Sequence, residues 1–124
     1  MSIEGKHVVI TGGGSGVGAE LAALFAGEGA KVTIFGRRIE PLEAVAKPIG
    51  ALALSADVTD RASLDMALDK ARSKNGPIAI AIANAGAAPS APFSAVTPEA
   101  FSAALSVNLV GVFHLWQATF SDMK

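Results

Sequence analysis

The sequence predicts an α/β domain in which a parallel sheet is covered by helices on both faces. Short runs of β-branched residues alternate with longer segments of helical period, and right-handed crossovers between such units give a doubly wound parallel sheet. A glycine-rich segment, residues 11–18, joins the first predicted strand to the first helix. With 51% hydrophobic and 17% charged residues, the 124-residue chain has the composition of one folded domain with a modest core.

The first strand and helix lie on either side of the glycine-rich segment. Residues 7–10 form a short apolar run followed at once by glycine, which is typical of a buried parallel strand. Residues 17–29 have apolar side chains at three- and four-residue spacing, and Gly29 is placed to end this helix. The apolar face predicted for it consists of Val17, Leu21, Leu24 and Phe25.

A strand, a short helix and a weaker strand follow. Residues 31–35 are read as the second strand and residues 51–56 as the third. Between them, residues 41–47 suit a short helix, which we expect Pro48 and Gly50 to close.

The third helix and fourth strand are predicted from a cap and from two apolar patterns. Asp60 or Ser63 is a suitable N-cap for a helix reaching about Lys74, where Asn-Gly-Pro breaks it. The face that this helix should bury consists of Leu64, Ala67, Leu68 and Ala71. Isoleucine and alanine alternate over residues 78–83, so this strand should have one bulky face and one small face on which a helix packs closely.

The last element is a long helix that follows a loop over residues 85–96. Thr97 suits its N-cap, Pro98 its first position and Glu99 its first turn, where the helix dipole favours an acid. Its apolar side chains Val112, Phe113, Leu115, Trp116 and Phe120 are too many for one narrow stripe, so a further interface is expected.

The segment Thr-Gly-Gly-Gly-Ser-Gly-Val-Gly at residues 11–18 predicts a phosphate-binding loop. Glycine lets the backbone turn sharply and approach a pyrophosphate, and the N-terminus of the following helix offers free N–H groups. A nucleoside-triphosphate P-loop would end in Gly-Lys-Ser or Gly-Lys-Thr, whereas this segment ends in Gly-Val-Gly. The spacing Thr-Gly-x-x-x-Gly-x-Gly resembles that of the short-chain dehydrogenase/reductase family, whose domain is built on a Rossmann-type sheet.

Three further motifs resemble the same family and occur in the same order. They are Asp57-Val58 after the third predicted strand, Asn84-Ala85-Gly86 at the end of the fourth, and Asn108 on the last helix. Ala83 stands where the family has the first asparagine of Asn-Asn-Ala-Gly. The four motifs together cover the chain, and the resemblance implies the strand order 3-2-1-4.

The resemblance also implies a role for each of these residues. The phosphates of a dinucleotide would contact Gly12, Gly14, Ser15 and Val17. The adenine ring would be held by Asp57 and Val58, and the nicotinamide side would be flanked by Asn84, Ala85 and Gly86. Asn108 matches the asparagine of the family's catalytic tetrad, although an exposed or locally bonded asparagine is the alternative for this position.

The end of the second strand predicts which dinucleotide is preferred. NAD-preferring members of the family have an acid there for the ribose hydroxyls, whereas this chain has Gly36 followed by Arg37 and Arg38. Guanidinium groups suit a 2′-phosphate. The sequence therefore predicts NADP(H), with NAD(H) as the alternative; the two arginines could instead serve only to solvate a helix start.

The chemistry implied by the resemblance is hydride transfer between nicotinamide and a carbonyl or alcohol substrate. The family uses a Tyr-x-x-x-Lys pair and a serine for it, and this chain contains no tyrosine. We therefore expect residues 1–124 to be the N-terminal, dinucleotide-binding part of a longer enzyme and to be inactive alone. The alternative is a non-catalytic dinucleotide-binding or interaction module. The resemblance further implies a homodimer or homotetramer formed through the fourth helix.

Composition argues against several other classes of protein. The chain has no cysteine, so disulfides and thiolate chemistry are excluded, and two distant histidines without clustered acids predict no metal site. A net charge of -1 gives no reason to expect nucleic acid or an anionic membrane as partner. No uninterrupted apolar run approaches the ~18 residues of a membrane span, so we expect a cytoplasmic protein.

Overall fold

The computed structural model describes residues 2–124 and contains one four-stranded parallel sheet. Its strands are β1 (His7–Thr11), β2 (Lys31–Gly36), β3 (Leu52–Ser55) and β4 (Ile78–Ile82). They are ordered β3-β2-β1-β4, and every neighbouring pair is parallel. The predicted doubly wound sheet and its strand order are thereby confirmed.

Helices cover both faces of this sheet and divide the core into two layers. The helices that follow the first three strands are α1 (Gly16–Gly27), α2 (Ile39–Ile49) and α3 (Arg61–Asn75). One layer packs α1 and α2 against the sheet, and the other packs α3 and a later helix against it. Val8 and Ile10 of β1 point into the first layer, while Val9 points into the second.

The predicted inward face of α1 is confirmed only in part, because Leu21 and Phe25 pack against the core as predicted whereas Val17 and Leu24 do not. Gly18 and Ala22 are buried, whereas Val17 and Leu24 are 66% and 61% exposed. The reason is close packing: a Cβ at Gly18 would lie 2.1 Å from the carbonyl oxygen of Gly12. Small residues therefore form the centre of the contact face of α1, beside Leu21 and Phe25, and apolar periodicity predicted only the two large side chains.

Helix α2 is longer than predicted and includes both prolines. Pro41 occupies its first turn, where a missing N–H removes no helical hydrogen bond, and Pro48 lies in the last turn. The helix ends at Gly50, which adopts a left-handed conformation with φ +69°. Gly50 thus closes the helix as predicted, whereas the prediction that Pro48 closes it is wrong.

Helix α3 agrees with its prediction in cap and in face. Asp60 is the N-cap, and its side chain accepts the backbone N–H of Ser63 at 3.3 Å. The four residues predicted to face inward are all buried: Leu64, Ala67, Leu68 and Ala71. The Ser63 hydroxyl instead accepts the backbone N–H of Asp57, so it ties the helix to the turn before it.

Strand β4 contains a bulge that shifts its predicted faces. His7 pairs with Ile78 and Val8 with Ile80, so Ala79 has no partner in β1. Ile78 consequently packs in the same layer as Ala81, on the side predicted to carry only small residues. The remaining isoleucines, Ile80 and Ile82, lie on the opposite face as expected.

The last helical segment, Pro98–Met123, follows a short 3₁₀ turn at Phe93–Ala95 and is not uniformly α-helical. It comprises α4 (Pro98–Leu105), a π-helical turn (Ser106–Val110), α5 (Gly111–Thr119) and a final 3₁₀ turn. Thr97 caps it as predicted, accepting the N–H of Ala100 at 3.1 Å. By length and composition the segment could cross a membrane, so the expectation that no apolar run approaches a membrane span is wrong for residues 98–123; core helices of soluble proteins also meet these criteria, but they are mostly buried, whereas 17% of this apolar window is buried.

One side of the last helical segment packs against the sheet, and much of the rest is exposed. Leu115 is fully buried, whereas Phe113, Trp116 and Phe120 are each more than half exposed. Further large apolar side chains exposed on this segment are Phe101, Leu105, Leu109, Val110 and Met123. The segment therefore carries more apolar side chains than its contact with the sheet buries.

Candidate functional site

A cleft opens at the carboxyl ends of the four strands. It is lined by Gly12, Gly36, Arg37, Asp57, Val58 and Gly86, among others. From β1 the chain continues to β2 and β3 on one side of the sheet and then crosses to β4 on the other side of β1. The order of the strands therefore changes direction at β1. In open α/β sheets this is the place where ligands bind.

The glycine loop between β1 and α1 is held against β2 and β4. The N–H of Gly12 donates to the carbonyl of Phe35 at 2.8 Å. Gly12 has φ +68°, and a Cβ there would lie 2.9 Å from the Cα of Ala85. Only glycine fits this position, because both its conformation and the space around it exclude a side chain.

Asn84 and Ala85 are fixed to the end of β1 by Thr11. The hydroxyl oxygen of Thr11 accepts the backbone N–H groups of Asn84 at 3.0 Å and of Ala85 at 3.1 Å. The side-chain amide of Asn84 donates to the carbonyl of Gly12 at 3.1 Å. Two of the sequence motifs therefore form one hydrogen-bonded unit at the base of the cleft.

The N-terminus of α1 has the properties of an anion site. Ser15 is its N-cap, is exposed, and makes no side-chain capping hydrogen bond, so its hydroxyl is available to a ligand. Gly16 has φ +55°, and the space where its Cβ would lie is open to 4 Å. A pyrophosphate fits this arrangement of free N–H groups, helix dipole and open backbone.

Asp57 is held as a carboxylate at the far end of the cleft. Its Oδ1 accepts the hydroxyl of Thr59 at 2.7 Å and the backbone N–H of Thr59 at 2.9 Å. The Thr59 hydroxyl, and then its N–H, lower the pKa of Asp57, and the positive charge of Arg37 adds to this effect. Among the hydrogen bonds of residues 2–124, Oδ2 receives no donor, so it can accept one from a ligand.

The two arginines after β2 occupy different positions. Arg37 is exposed and lines the cleft, and its carbonyl accepts the Ser55 hydroxyl at 3.1 Å. Arg38 is also exposed, but it is the N-cap of α2 and does not line the cleft. A Cβ at Gly36 would lie 3.2 Å from Leu42, so an acid at this position would need Leu42 to move.

Asn108 lies in the π-helical turn and fastens the loop after β4. Its Oδ1 accepts the N–H of Ala87 at 2.8 Å, and its Nδ2 donates to the carbonyl of Ala87 at 2.5 Å. Asn108 is exposed, as the alternative expected, but its amide bonds a loop 21 residues earlier and, across residues 2–124, makes no local bond within its own helix. π-Helical turns recur at functional sites, so the irregularity itself marks the position.

Sequence reasoning did not single out three residues that shape this cleft. The sequence indicates Thr11 only as part of the glycine motif, although its hydroxyl joins two strand ends. Thr59 orients Asp57, and an Asp-x-Thr spacing is the sequence signal for such a turn. Ala87 is bound through its backbone alone, so its side chain gave no signal.

Comparison with known proteins identifies the family. The model of the short chain dehydrogenase family matches residues 6–124. The chain belongs to the short-chain dehydrogenase family. The predicted resemblance is thereby confirmed, and the sheet described above is the Rossmann-type sheet of that family.

Several short-chain dehydrogenase relatives align with nearly all of this chain. It is 39% identical to the oxidoreductase asL5 of Sarocladium schorii, over 98% of this chain and 49% of that protein. It is 37% identical to an NADP-dependent (R)-specific alcohol dehydrogenase of Lentilactobacillus kefiri, over 98% of this chain and 50% of that one. The chain thus spans about half the length of the short-chain dehydrogenases it matches.

A solved structure supports the same assignment. The 3-ketoacyl-(acyl-carrier-protein) reductase of Brucella melitensis, complexed with NADH, superposes with a TM-score of 0.90 at 40% identity. The superposition covers 94% of this chain and 49% of that one. The short-chain dehydrogenase fold is therefore shared over nearly the whole of this chain.

Proposed function

We propose that the chain binds NADP(H) in the cleft and forms the cofactor-binding part of an oxidoreductase. The observation that carries the preference for NADP(H) is at the end of β2, where Gly36 replaces an acid and Arg37 lines the cleft. A guanidinium can bind a 2′-phosphate through two parallel hydrogen bonds. NAD(H) is the alternative cofactor, and it is supported by the Brucella relative, whose structure contains NADH. The binding experiment below therefore compares both cofactors.

The dinucleotide would lie along the carboxyl edge of the sheet, with a different part in the cleft or beside it at each strand end. The pyrophosphate would lie at the N-terminus of α1, against Gly12, Gly14, Ser15 and Val17. Asp57 would accept the adenine amino group at Oδ2, with Val58 beside the ring, and Arg37 would bind the 2′-phosphate with help from Arg38. The nicotinamide side would lie along Asn84, Ala85 and Gly86. When bound, the nicotinamide supplies or accepts the hydride.

The reaction proposed for the whole protein is hydride transfer between nicotinamide and a carbonyl or alcohol. The relatives' names describe an alcohol dehydrogenase and a ketoacyl reductase, which act on these groups. The chain has no tyrosine, so the proton-transferring Tyr and its Lys would come from a second half of the protein. Within this chain, Asn108 would contribute to catalysis by keeping the loop at Ala87 in place.

A charge reversal at Arg37 tests the cofactor preference. We expect Arg37→Asp to weaken NADPH binding at least tenfold, because a charge-assisted hydrogen bond contributes about 1.5–3 kcal/mol. NADH affinity should rise, since aspartate can accept the ribose hydroxyls. Calorimetric titration of both cofactors measures this, with Arg38→Asp as the matched control expected to have a smaller effect. Equal affinity of the unaltered chain for NADPH and NADH would contradict the proposal.

A second candidate is a non-catalytic dinucleotide-binding or interaction module. The complete absence of tyrosine from these 124 residues favours it. Turnover separates the two functions, because only the oxidoreductase would oxidise NADPH in the presence of a carbonyl acceptor. This turnover assay requires the protein in its full natural length, because only that form would carry all the catalytic residues of the oxidoreductase.

Assembly and location are part of the same proposal. The exposed apolar side chains of the last helical segment support a homodimer or homotetramer formed through it. A small-molecule substrate and a cytoplasmic location agree with the family and with the near-neutral charge of the chain.

A further inference from the structure

Helix α5 contacts the adenine side of the cleft through His114. The Nδ1 of His114 lies 2.6 Å from the carbonyl oxygen of Val58. A carbonyl only accepts hydrogen bonds, so Nδ1 carries the proton and donates it. The approach is made possible by Gly111, where a Cβ would lie 2.6 Å from the Cγ2 of Val58.

The turn that carries Val58 has few bonds to other elements. Its internal hydrogen bonds run from Thr59 to Asp57 and from the N–H of Asp60 to the carbonyl of Asp57. The Asp57 N–H is accepted by Ser63, on the helix that the turn itself begins. Among the hydrogen bonds of residues 2–124, the one from His114 is therefore what fixes the Val58 peptide to the last helical segment.

The opposite wall of the cleft is fixed to the same stretch of helix. Asn108, which precedes His114 by six residues, binds the backbone of Ala87 through both ends of its amide. Ala87 and Val58 both line the cleft, and they follow β4 and β3, the two edge strands of the sheet. One short helical stretch therefore hydrogen-bonds the segments that follow both edge strands.

We propose that His114 is a positioning residue for the adenine ring, which rests on the proposed function of the cleft. It holds the Val58 carbonyl and so keeps the Asp57 carboxylate in the position where its Oδ2 can accept a hydrogen bond from the adenine amino group. Loss of the His114 donor leaves the Val58 carbonyl without its partner and frees the turn to move. Among the hydrogen bonds of residues 2–124, none joins His114 to the phosphate-binding loop at the N-terminus of α1, so we expect that loop to be unaffected.

The test compares NADPH with its deaminated analogue, nicotinamide hypoxanthine dinucleotide phosphate, which has an oxo group where adenine has its amino group. The unaltered chain should bind NADPH at least ~5-fold more tightly than the analogue, the ratio expected for one hydrogen bond. In His114→Leu this ratio should fall toward one. In His114→Asn it should be retained, because the asparagine amide places a donor where Nδ1 was.

A matched control is available on the same helix. Gln117 accepts a hydrogen bond from Arg61 at 2.7 Å, so Gln117→Leu removes a contact between α5 and α3 and leaves the His114–Val58 bond in place. A merely structural role for His114 would weaken binding of both nucleotides alike and leave the ratio unchanged, as Gln117→Leu should. That result for His114→Leu would overturn the proposal.

Hydrogen exchange gives a second readout that needs no nucleotide. Deuterium uptake by the peptide spanning residues 57–60 should rise in His114→Leu and stay at its original level in His114→Asn. Unchanged uptake in His114→Leu would also overturn the proposal. If the unaltered chain binds neither nucleotide, the proposed function itself fails. That result differs from tight binding in which His114→Leu leaves the ratio of the two affinities unchanged, which overturns only the role of His114.

Discussion

Thr11 fixes the backbone at the base of the cleft through a single hydroxyl group. Its side chain is 2% exposed, and its single oxygen accepts two backbone N–H groups from the segment after β4. The strand pairing between β1 and β4 ends at Ile82, and beyond it the two segments are joined by hydrogen bonds to the Thr11 hydroxyl. The backbone of Asn84 and Ala85 is thereby fixed beside the glycine loop, where the nicotinamide side of a dinucleotide is proposed to lie.

We expect Thr11→Val to destabilise the fold by about 2–3 kcal/mol. Valine has nearly the same shape but leaves two N–H groups without an acceptor, each of which costs about 1–3 kcal/mol when buried. Thr11→Ser keeps the oxygen and should lose less than half as much. Urea unfolding of the three proteins measures the free energies, and a Thr11→Val variant as stable as Thr11→Ser would show that the hydroxyl contributes nothing.

At the scale of elements, Asp122 joins the end of the last helical segment to the start of β4. Its carboxylate accepts the N–H of Ile78 at 2.9 Å, the Nε of Arg72 at 2.9 Å and the Nη2 of Arg72 at 2.8 Å. The same Nη2 donates to the carbonyl of Ala118. The Asp122 side chain is only 8% exposed, so one buried carboxylate connects α3, β4 and the last helical segment.

Removal of this carboxylate should loosen all three elements together. We expect Asp122→Ala to cost about 2–3 kcal/mol, because hydrogen bonds to charged groups contribute more than neutral ones and the Arg72 charge loses its partner. Asp69 pairs with the same arginine but is 79% exposed, so Asp69→Ala should change stability by less than ~1 kcal/mol. Urea unfolding compares the two, and equal losses would contradict the assigned role of Asp122.

The elements also show where apolar patterns predict packing and where they do not. The face of α3 follows from its sequence, because large and small apolar residues such as Leu64 and Ala67 share one helical stripe. The face of α1 follows from its sequence only in part: Leu21 packs inward as predicted, but the close backbone contact at Gly18 leaves Leu24 exposed. The bulge at Ala79 and the π-helical turn each add one residue to a regular repeat, which periodicity cannot locate.

For the whole molecule, the candidate site could be predicted because its residues follow strand ends. Strands of a parallel sheet bring their carboxyl ends to one edge, so Gly12, Arg37, Asp57 and Gly86 were expected together and all line the cleft. The contacts that hold these residues in place were not predictable in the same way. They join positions far apart in the chain, such as His114 and Val58, whose pairing depends on how the last helical segment packs.

The stability of the whole molecule should depend on pH through His7, at the opposite end of the sheet. His7 is buried, with Nδ1 2.8 Å from the carbonyl of Gly76 and Nε2 2.8 Å from the hydroxyl of Thr33. The carbonyl requires a proton on Nδ1, so Nε2 accepts from the hydroxyl and the ring is neutral. Burial lowers the pKa of His7 below its ordinary value of about 6.5; Lys31 and Arg72 add to this, while the Gly76 carbonyl and Asp122 oppose it.

The sign of the effect follows from the lowered pKa. Above pH 6.5 both the folded and the unfolded chain hold a neutral His7, and its full contribution is present. Below that pH the unfolded chain takes up a proton that the folded chain binds less readily, so the free energy of unfolding decreases as pH falls through the folded pKa. Asp57 and Asp122, whose pKa values are also lowered, add a second loss only at pH values below about 3.8.

Urea unfolding between pH 7.5 and 5.0 therefore isolates the histidine step. We expect the unaltered chain to lose stability across this range, and His7→Asn to begin less stable but to vary less with pH. Asparagine keeps a donor for the Gly76 carbonyl but does not titrate. The quantity to compare is therefore how strongly the free energy of unfolding of His7→Asn still changes with pH. If His7→Asn retained the slope of the unaltered chain, the buried ring would not be the source of the acid sensitivity.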